Sequence, residues 1–339
     1  MRAGKDREAP SLLWEAFVAL FVALLALTLA LTVAALPIGV YTMFFTSVTQ
    51  GLNGYSPISL FAWFGPVPVG IPGTFPAGGV LVGLLIVYGI LLAYAARRGS
   101  VLQAIRGSLT GGPSRLLKSD LIVTMISIGF LAYTANAVDT VVQSAGIQIG
   151  GPTQSDFVVF VATTTSPLTE EVGFRLCFMG LVAFLLCLGL PWRRCLLALW
   201  KPSIAYEGTE DNGRRLIMGA VLVLSALAFG VAHVTSGSGW DLGKLPEAAY
   251  GGLVLGYVYL RFGLHTAILT HWGIDYLGTV YAYFGRGALG VPVDSTPGFV
   301  LQQVTTINFL GGFGLVSFLL VAYLAVGRLL ASPPAALSS

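Results

Sequence analysis

Residues 166–175 place three ionisable side chains inside a long apolar stretch, where the chain reads Ser-Pro-Leu-Thr-Glu-Glu-Val-Gly-Phe-Arg. A charge at the centre of a membrane helix costs about 2.5–3.5 kcal/mol on insertion scales, so such residues usually have a function. Glu171 and Arg175 are four residues apart, which predicts an ion pair on one helix face. Glu170 is rotated by about 100° from Glu171 and is predicted to face another neighbour. A buried ion-pair network that locks helices together is the alternative.

Two of the three histidines stand in comparable apolar stretches. His233 follows Phe229 by four residues, and His271 precedes Asp275 by four residues on a shared helix face. His265 lies about 240° around the helix from His271 and is predicted to be an interface residue. Polar residues on apolar spans usually face the bundle interior. The pattern therefore predicts one polar cavity shared by three spans.

Such a cavity could activate water. A carboxylate beside a neutral imidazole can hold and deprotonate a water molecule, with Glu170 and His233 as candidates. A second imidazole with a hydrogen-bonding partner, such as His271 with Asp275, can stabilise an oxyanion. Together these groups predict a hydrolase that uses no side-chain nucleophile.

Other intramembrane chemistries fit the sequence less well. There is no HExxH for a site-two-type zinc protease, and Gly273-Ile-Asp275 is not the GxGD of a presenilin-type aspartyl protease. Ser236 and Ser238 lie in a Gly/Ser-rich loop without the GxSG of rhomboids, so a flexible loop is expected there. No cofactor is predicted. Zinc held by one carboxylate and two imidazoles stays open as an alternative. Its ligands would be Glu170, His233 and His271.

The composition is that of a polytopic membrane protein. Of 339 residues, 55% are hydrophobic and 10% are charged, and the mean hydropathy is +0.83. Soluble domains average about 25% charged residues. No basic block with interleaved aromatic residues is present, which argues against a nucleic-acid partner. The lipid bilayer and a membrane-associated substrate are the expected partners.

Apolar stretches of spanning length predict an all-α transmembrane bundle of about eight spans, with the polar cavity between spans 4, 5 and 7. The predicted spans are 12–46, 77–96, 119–144, 156–190, 215–235, 246–262, 264–284 and 302–329. The first is too long for a cleaved signal peptide and is predicted to bend or break at Pro37. Pro167 is predicted to divide the fourth, opening a helix capped by Ser166.

Basic residues concentrate in segments that lie an even number of spans from the start of the chain. The clusters are Arg2/Lys5/Arg7, Arg97/Arg98/Arg106/Arg115/Lys118, Arg193/Arg194/Lys201/Arg214/Arg215, Arg261 and Arg328. By the positive-inside rule both termini are cytoplasmic. The Gly- and Pro-rich outer loop 46–79 is predicted to lie in the interface or fold back over the helices, with a floppy connection as the alternative.

The sequence predicts a three-part organisation. Residues 1–150 carry spans 1–3 and the outer loop. Residues 151–290 form the core that bears the motifs. Residues 291–339 form the last span and a short cytoplasmic tail.

The three motifs, in this order on three spans, resemble the CPBP family of intramembrane proteases, which includes the type II CAAX prenyl endopeptidases. The motifs are Glu170-Glu171-x-x-x-Arg175, Phe229-x-x-x-His233 and His271-x-x-x-Asp275. The resemblance covers residues 156–284. It implies a glutamate-dependent endopeptidase of an eight-helix bundle, in the cell membrane of a prokaryote, acting on a membrane-associated substrate that can be prenylated.

The resemblance also implies roles for individual residues. Glu170 would be the general base and would position the attacking water with His233, while Glu171 and Arg175 would support the site. His271 would stabilise the oxyanion together with Asp275.

Two features set the chain apart from a prenyl protease. Asp275 stands where the prenyl proteases have Asn, and an ionised Asp cannot donate a hydrogen bond to an oxyanion. The predicted topology also places the motifs in the outer half of the bilayer, whereas CAAX processing acts on cytoplasmic C-termini. These features weaken the assignment to a prenyl protease more than the assignment to a protease. The alternative function is a non-proteolytic scaffold, an immunity protein or a proton-coupled carrier with the same cavity.

Overall fold

The computed structural model describes residues 12–46, 54–207, 212–287 and 297–331. The first basic cluster, Arg2/Lys5/Arg7, and the predicted tail 332–339 lie outside the described residues. The described chain is a bundle of helices with one β-hairpin. The α-helices are α1 (Leu12–Phe45), α2 (Ala77–Arg97), α3 (Val101–Gly111), α4 (Asp120–Ser144), α5 (Asp156–Glu170), α6 (Leu181–Leu186), α7 (Trp192–Trp200), α8 (Asn212–Thr235), α9 (Lys244–Phe262), α10 (Leu264–Gly287), α11 (Pro297–Ile307) and α12 (Phe313–Ala331).

Shorter helical segments join several of these helices. π-Helical turns at Glu171–Gly180 and Asn308–Gly312 connect α5 to α6 and α11 to α12 without a break. Short 3₁₀ helices follow α3 and α7 at Pro113–Lys118 and Pro202–Ala205.

The centre of the bundle is α10. It packs against α1, α2, α4, α5, α9 and α11, and most of its residues are buried. Tyr281 donates a hydrogen bond of 2.6 Å to the Leu31 carbonyl, and Tyr88 stacks on Trp272 with ring centroids 4.9 Å apart. Because protein surrounds α10, it can carry polar side chains that a lipid-facing helix would not tolerate.

Five helical segments of the described chain are long and apolar enough to cross a membrane. They are Leu12–Phe45, Ala77–Arg97, Asp120–Ser144, Asn212–Thr235 and Val300–Arg328. An integral membrane protein with an all-α bundle is consistent with these segments. The remaining predicted spans coincide with α5–α6, α9 and α10, so the count of eight stays a prediction, as do the cavity and the three-part division.

Pro37 lies inside the continuous helix α1, so the helix does not break there, and a bend stays a prediction. Pro167 lies inside α5 rather than at a helix start, so the prediction that Ser166 caps a helix is wrong. One turn before Pro167, the Tyr88 hydroxyl donates to the Thr164 carbonyl at 2.7 Å and joins α2 to α5.

The outer loop contains a β-hairpin that the sequence analysis did not predict. Strands β1 (Pro57–Phe64) and β2 (Val67–Pro76) pair antiparallel across a two-residue turn at Gly65-Pro66. β1 lies against the first π-helical segment and α5, whereas β2 is almost wholly exposed. The loop therefore folds back over the helices, and the floppy alternative is wrong for residues 54–79.

Gly173 is the contact point of the hairpin on the bundle. The Gly65 amide donates to the Gly173 carbonyl at 3.3 Å, and the Trp63 ring lies 5.8 Å from the ring of Phe174. A Cβ at Gly173 would lie within 2.6 Å of the Trp63 carbonyl oxygen, which is part of the backbone and cannot yield as a flexible side chain would. The close approach therefore requires glycine.

The loops beside the motif helices are ordered by backbone pairing. The Gly151 amide donates to the Gly239 carbonyl at 3.1 Å, and the Asp241 amide donates to Ile149 at 2.9 Å. The predicted flexible loop with Ser236 is thus tied to the segment that precedes α5.

His265, at the start of α10, is buried among neighbouring helices, and its depth in the membrane stays a prediction. It is 1% exposed, its Nε2 lies 3.0 Å from Oδ2 of Asp120, and its ring stacks on Trp200. Asp120 also accepts a hydrogen bond of 3.3 Å from Arg98. The residues around His265 do not indicate that Asp120, which lies 145 positions earlier in the chain, is its partner.

We expect Gly173→Ala to loosen the hairpin from the bundle, since the new methyl group would meet the Trp63 backbone. Chymotrypsin should then cleave after Phe61 and Phe64 several-fold faster. Gly83→Ala is the matched control, because a Cβ there meets no atom within 4 Å. Equal cleavage rates for the two variants would contradict this packing.

Candidate active site

Glu171 is the fixed point of the site and is completely buried. Its Oε2 lies 3.2 Å from Nε of Arg175, which is also 0% exposed, and its Oε1 lies 2.9 Å from Nδ1 of His271. The predicted Glu171–Arg175 ion pair is therefore present. The contact with His271 joins it to α10, a hundred residues further along the chain.

His271 holds the three carboxylates of the site around one ring. While Nδ1 contacts Glu171, Nε2 lies 3.8 Å from Oε2 of Glu170 and 3.4 Å from Oδ2 of Asp275. The two glutamates thus face different nitrogens of one imidazole, as their rotation around the helix predicts. The side chains of Glu170 and Asp275 are 11% and 30% exposed, so the Nε2 side is the open side of the site.

Oε2 of Glu170 is buried and makes no hydrogen bond to any described residue. Oε2 of Glu171 also lacks a hydrogen bond, but it lies 3.2 Å from Nε of Arg175. Oε2 of Glu170, by contrast, lies 3.8 Å from Nε2 of His271. Buried polar atoms almost always have a hydrogen-bond partner, from protein or from ordered water. This oxygen can therefore take a small polar molecule.

Phe229 connects the remaining histidine to this cluster. Its ring centroid lies 4.6 Å from that of His233 and 5.8 Å from that of His271, and the guanidinium of Arg175 sits 4.8 Å above it. Nδ1 of His233 lies 2.9 Å from the Phe229 carbonyl, which fixes the ring orientation. His233 is half-buried and within electrostatic range of Asp275.

The structure thus brings all the predicted site residues into one region but changes one pairing. Glu170 was predicted to act beside His233, but its contact is with His271. His233 contacts Phe229, which in turn packs against His271. Among the described residues, no group of three His, Cys, Asp or Glu side chains is arranged to hold a metal ion. The predicted zinc ligands Glu170, His233 and His271 do not form such a group.

Sequence reasoning missed the support beneath the site. The first π-helical segment begins at Glu171, directly after Glu170, and such segments are frequent at functional sites. Ser225 of α8 donates to the Phe174 carbonyl at 3.1 Å, and Phe174 packs edge-on against Phe229. The Phe174 and Arg175 pair in the motif was the available signal, but its aromatic partners come from distant segments.

Replacing Arg175 with Met should destabilise the protein by about 3–5 kcal/mol, because Glu171 would remain as a buried charge without its cation. The midpoint of thermal unfolding in detergent measures this loss. Arg286→Met is the control, since Arg286 forms a half-exposed pair with Asp156 and should contribute less than about 1 kcal/mol. Similar decreases in the unfolding midpoint for both variants would show that the buried ion pair contributes no more to stability than the half-exposed pair.

When the chain is compared with known protein families, one family model matches residues 152–277, a little over a third of the chain. This segment matches the family model described as type II CAAX prenyl endopeptidase Rce1-like, and it contains all three motifs. No curated protein and no solved structure matches the chain. The resemblance inferred from the motifs is thus confirmed for residues 152–277, which are similar to the Rce1-like type II CAAX prenyl endopeptidases.

Proposed function

We propose that the protein is an intramembrane endopeptidase that hydrolyses a peptide bond of a membrane-associated or lipidated substrate with an activated water. The observation that carries this proposal is the placement of His271 between Glu171 on one nitrogen and Glu170 with Asp275 on the other. The family match supports the protease class. A prenylated CAAX-type substrate is the specific form that the match suggests.

Glu170 acts as the general base. Its buried Oε2 makes no hydrogen bond to the described chain, so a water bound there would satisfy the oxygen and stand at the open side of His271. Proton transfer from this water to Glu170 generates the nucleophile that attacks the scissile carbonyl. Glu170 then passes this proton to the leaving amine as the C–N bond of the tetrahedral intermediate breaks. His233, held by the Phe229 carbonyl, completes the water site on the α8 side.

His271 supplies the positive charge for the oxyanion. With Nδ1–H donated to Glu171, a proton on Nε2 makes the ring an imidazolium between carboxylates. Three carboxylates then face two cations, His271 and Arg175. The two cations thus compensate most of the negative charge of the carboxylates, which reduces the cost of burying them.

Asp275 is a positioning residue in this scheme. Its Oδ2 lies 3.4 Å from Nε2 of His271, so it can orient the ring without itself donating to the oxyanion. This role requires only a hydrogen-bond acceptor, so it is compatible with Asp275 at the position where the prenyl proteases have Asn.

Glu170→Gln should lower cleavage by about 10²–10⁴-fold, the usual effect of losing a general base. The assay uses detergent-purified protein and quenched fluorescent peptides, with and without a prenyl group. Glu15→Gln is the control, because Glu15 lies exposed near the start of α1. Full activity of Glu170→Gln would contradict the mechanism.

The same assay separates the alternatives. Loss of cleavage on adding a chelator, with metal in the purified protein, would assign Glu170, His233 and His271 to zinc. A proton-coupled carrier would accumulate substrate with a proton gradient and cleave nothing. A preference for prenylated peptides would identify the substrate class.

Asp275→Asn should retain more activity than Asp275→Ala. The amide oxygen of Asn can still accept a hydrogen bond from His271, whereas Ala leaves the ring without this partner. Losses of about 10²-fold are expected for Ala, the scale of a disrupted oxyanion site. An Asn variant faster than the wild type would instead mean that this position donates directly to the oxyanion.

We further propose that the protein is a multi-pass protein of a prokaryotic cell membrane with both termini in the cytoplasm. The described basic residues outside the helical core, such as Arg98, Arg115 and Lys118, support this orientation.

A further inference from the structure

A long apolar groove runs between α4, α9 and α12, away from the proposed active site. It has a volume of about 690 Å³. Apolar side chains form most of its walls. They include Val123, Ile126 and Phe130 from α4, Val254 and Val258 from α9, and Leu324 from α12.

Basic side chains stand together at one end of this groove. Lys118 precedes α4, Arg261 is in the last turn of α9, and Arg328 is near the end of α12. No acidic side chain of the described chain lines the groove. Glu207, on the loop after α7, does not line the groove and forms an ion pair with Lys201, whose Nζ lies 3.5 Å from its Oε1. The end of the groove is therefore positively charged.

The length of the groove matches one leaflet of a bilayer. Along α9 it extends from Phe262 to Tyr250, and beside α4 it extends from Lys118, just before the helix, to Phe130. Twelve residues of α9 at a rise of 1.5 Å give about 18 Å. Half of a hydrocarbon core measures about 15 Å. An acyl chain whose headgroup lies beside the cations would thus reach the middle of the membrane.

We propose that this groove binds an anionic phospholipid. The lipid would come from the membrane leaflet that lies at the basic end of the groove. The apolar walls accommodate an acyl chain, and Lys118, Arg261 and Arg328 bind the phosphate and the negative headgroup. Basic pockets between membrane helices recognise anionic headgroups by this charge complementarity. A neutral phospholipid can place its acyl chain between the same apolar walls, but its headgroup interacts less strongly with the basic side chains.

The bound lipid would lie against residues that pack on the site helix. Tyr250 and Val254 line the groove, and they also pack with Ile274 against a cluster of Leu131, Ala135 and Leu255. Ile274 directly precedes Asp275 in α10. The lipid site is separate from the proposed catalytic residues and does not depend on the proposed function.

The test uses delipidated full-length protein in neutral detergent and native mass spectrometry. Phosphatidylglycerol and phosphatidylcholine with identical acyl chains are added together, and the bound amounts are compared. The wild type should retain phosphatidylglycerol about fivefold or more over phosphatidylcholine. In the double variant Lys118→Gln/Arg261→Gln this ratio should fall toward one. Both side chains are exposed, so the fold is retained.

Two controls locate the effect in the groove. Arg106→Gln should leave the ratio unchanged, because Arg106 is exposed and does not line the groove. Leu253→Trp, which fills the groove without changing its charge, should reduce binding of both lipids. A wild-type ratio near one, or a ratio unchanged in the double variant, would overturn the proposal. Displacement of the phospholipid by a prenylated peptide would also overturn it and assign the groove to the substrate.

Discussion

Glu171 is a carboxylate without any exposed surface, and the geometry of the site depends on how its charge is compensated. Arg175 compensates it from the same helix and His271 from α10. A buried ion that loses one partner is strongly destabilising, so these contacts hold two helices in one relative position. Glu170 and Asp275, which face the other side of the imidazole, take their places as a consequence.

The surroundings of this cluster are aromatic rather than polar. Phe229 lies between Arg175, His233 and His271, and Phe174 packs against its edge. The faces of such rings are electron-rich, so they favour a cation while excluding water. The hairpin adds Trp63 on the outside of Phe174. Charges that would be strongly screened in water therefore interact at short range in a low dielectric.

Much of the site could be predicted because its key pairs are local. Glu171 with Arg175 and His271 with Asp275 are four residues apart, and helical geometry alone brings each pair together. The contacts between helices could not be predicted in this way. Nothing near His271 indicates that Glu171 rather than Asp275 binds its Nδ1, and nothing near His265 indicates Asp120. Such contacts depend on how the helices pack.

In the fold, too, some features could be predicted from the local sequence and others could not. The apolar stretches indicated where the helices lie, but they did not indicate that helix continues through Pro167 into a π-helical segment. The hairpin did leave a signal in the sequence, since apolar runs flank Gly65-Pro66 on both sides. In the structure Gly65 has a φ of +58°, which favours glycine. A two-residue turn with glycine first is a common hairpin connection. The Gly- and Pro-rich composition of the loop obscured this signal.

The prolines of the outer strand have a consequence for how copies of this protein meet. A two-stranded sheet has a free edge on each strand, and an unpaired edge can join that of another molecule. In this hairpin β1 lies against the helices, so β2 presents the exposed edge. Pro68, Pro72 and Pro76 lack the amide proton that such pairing needs. Crowded copies in one membrane are thereby kept from fusing their hairpins into a continuous intermolecular sheet.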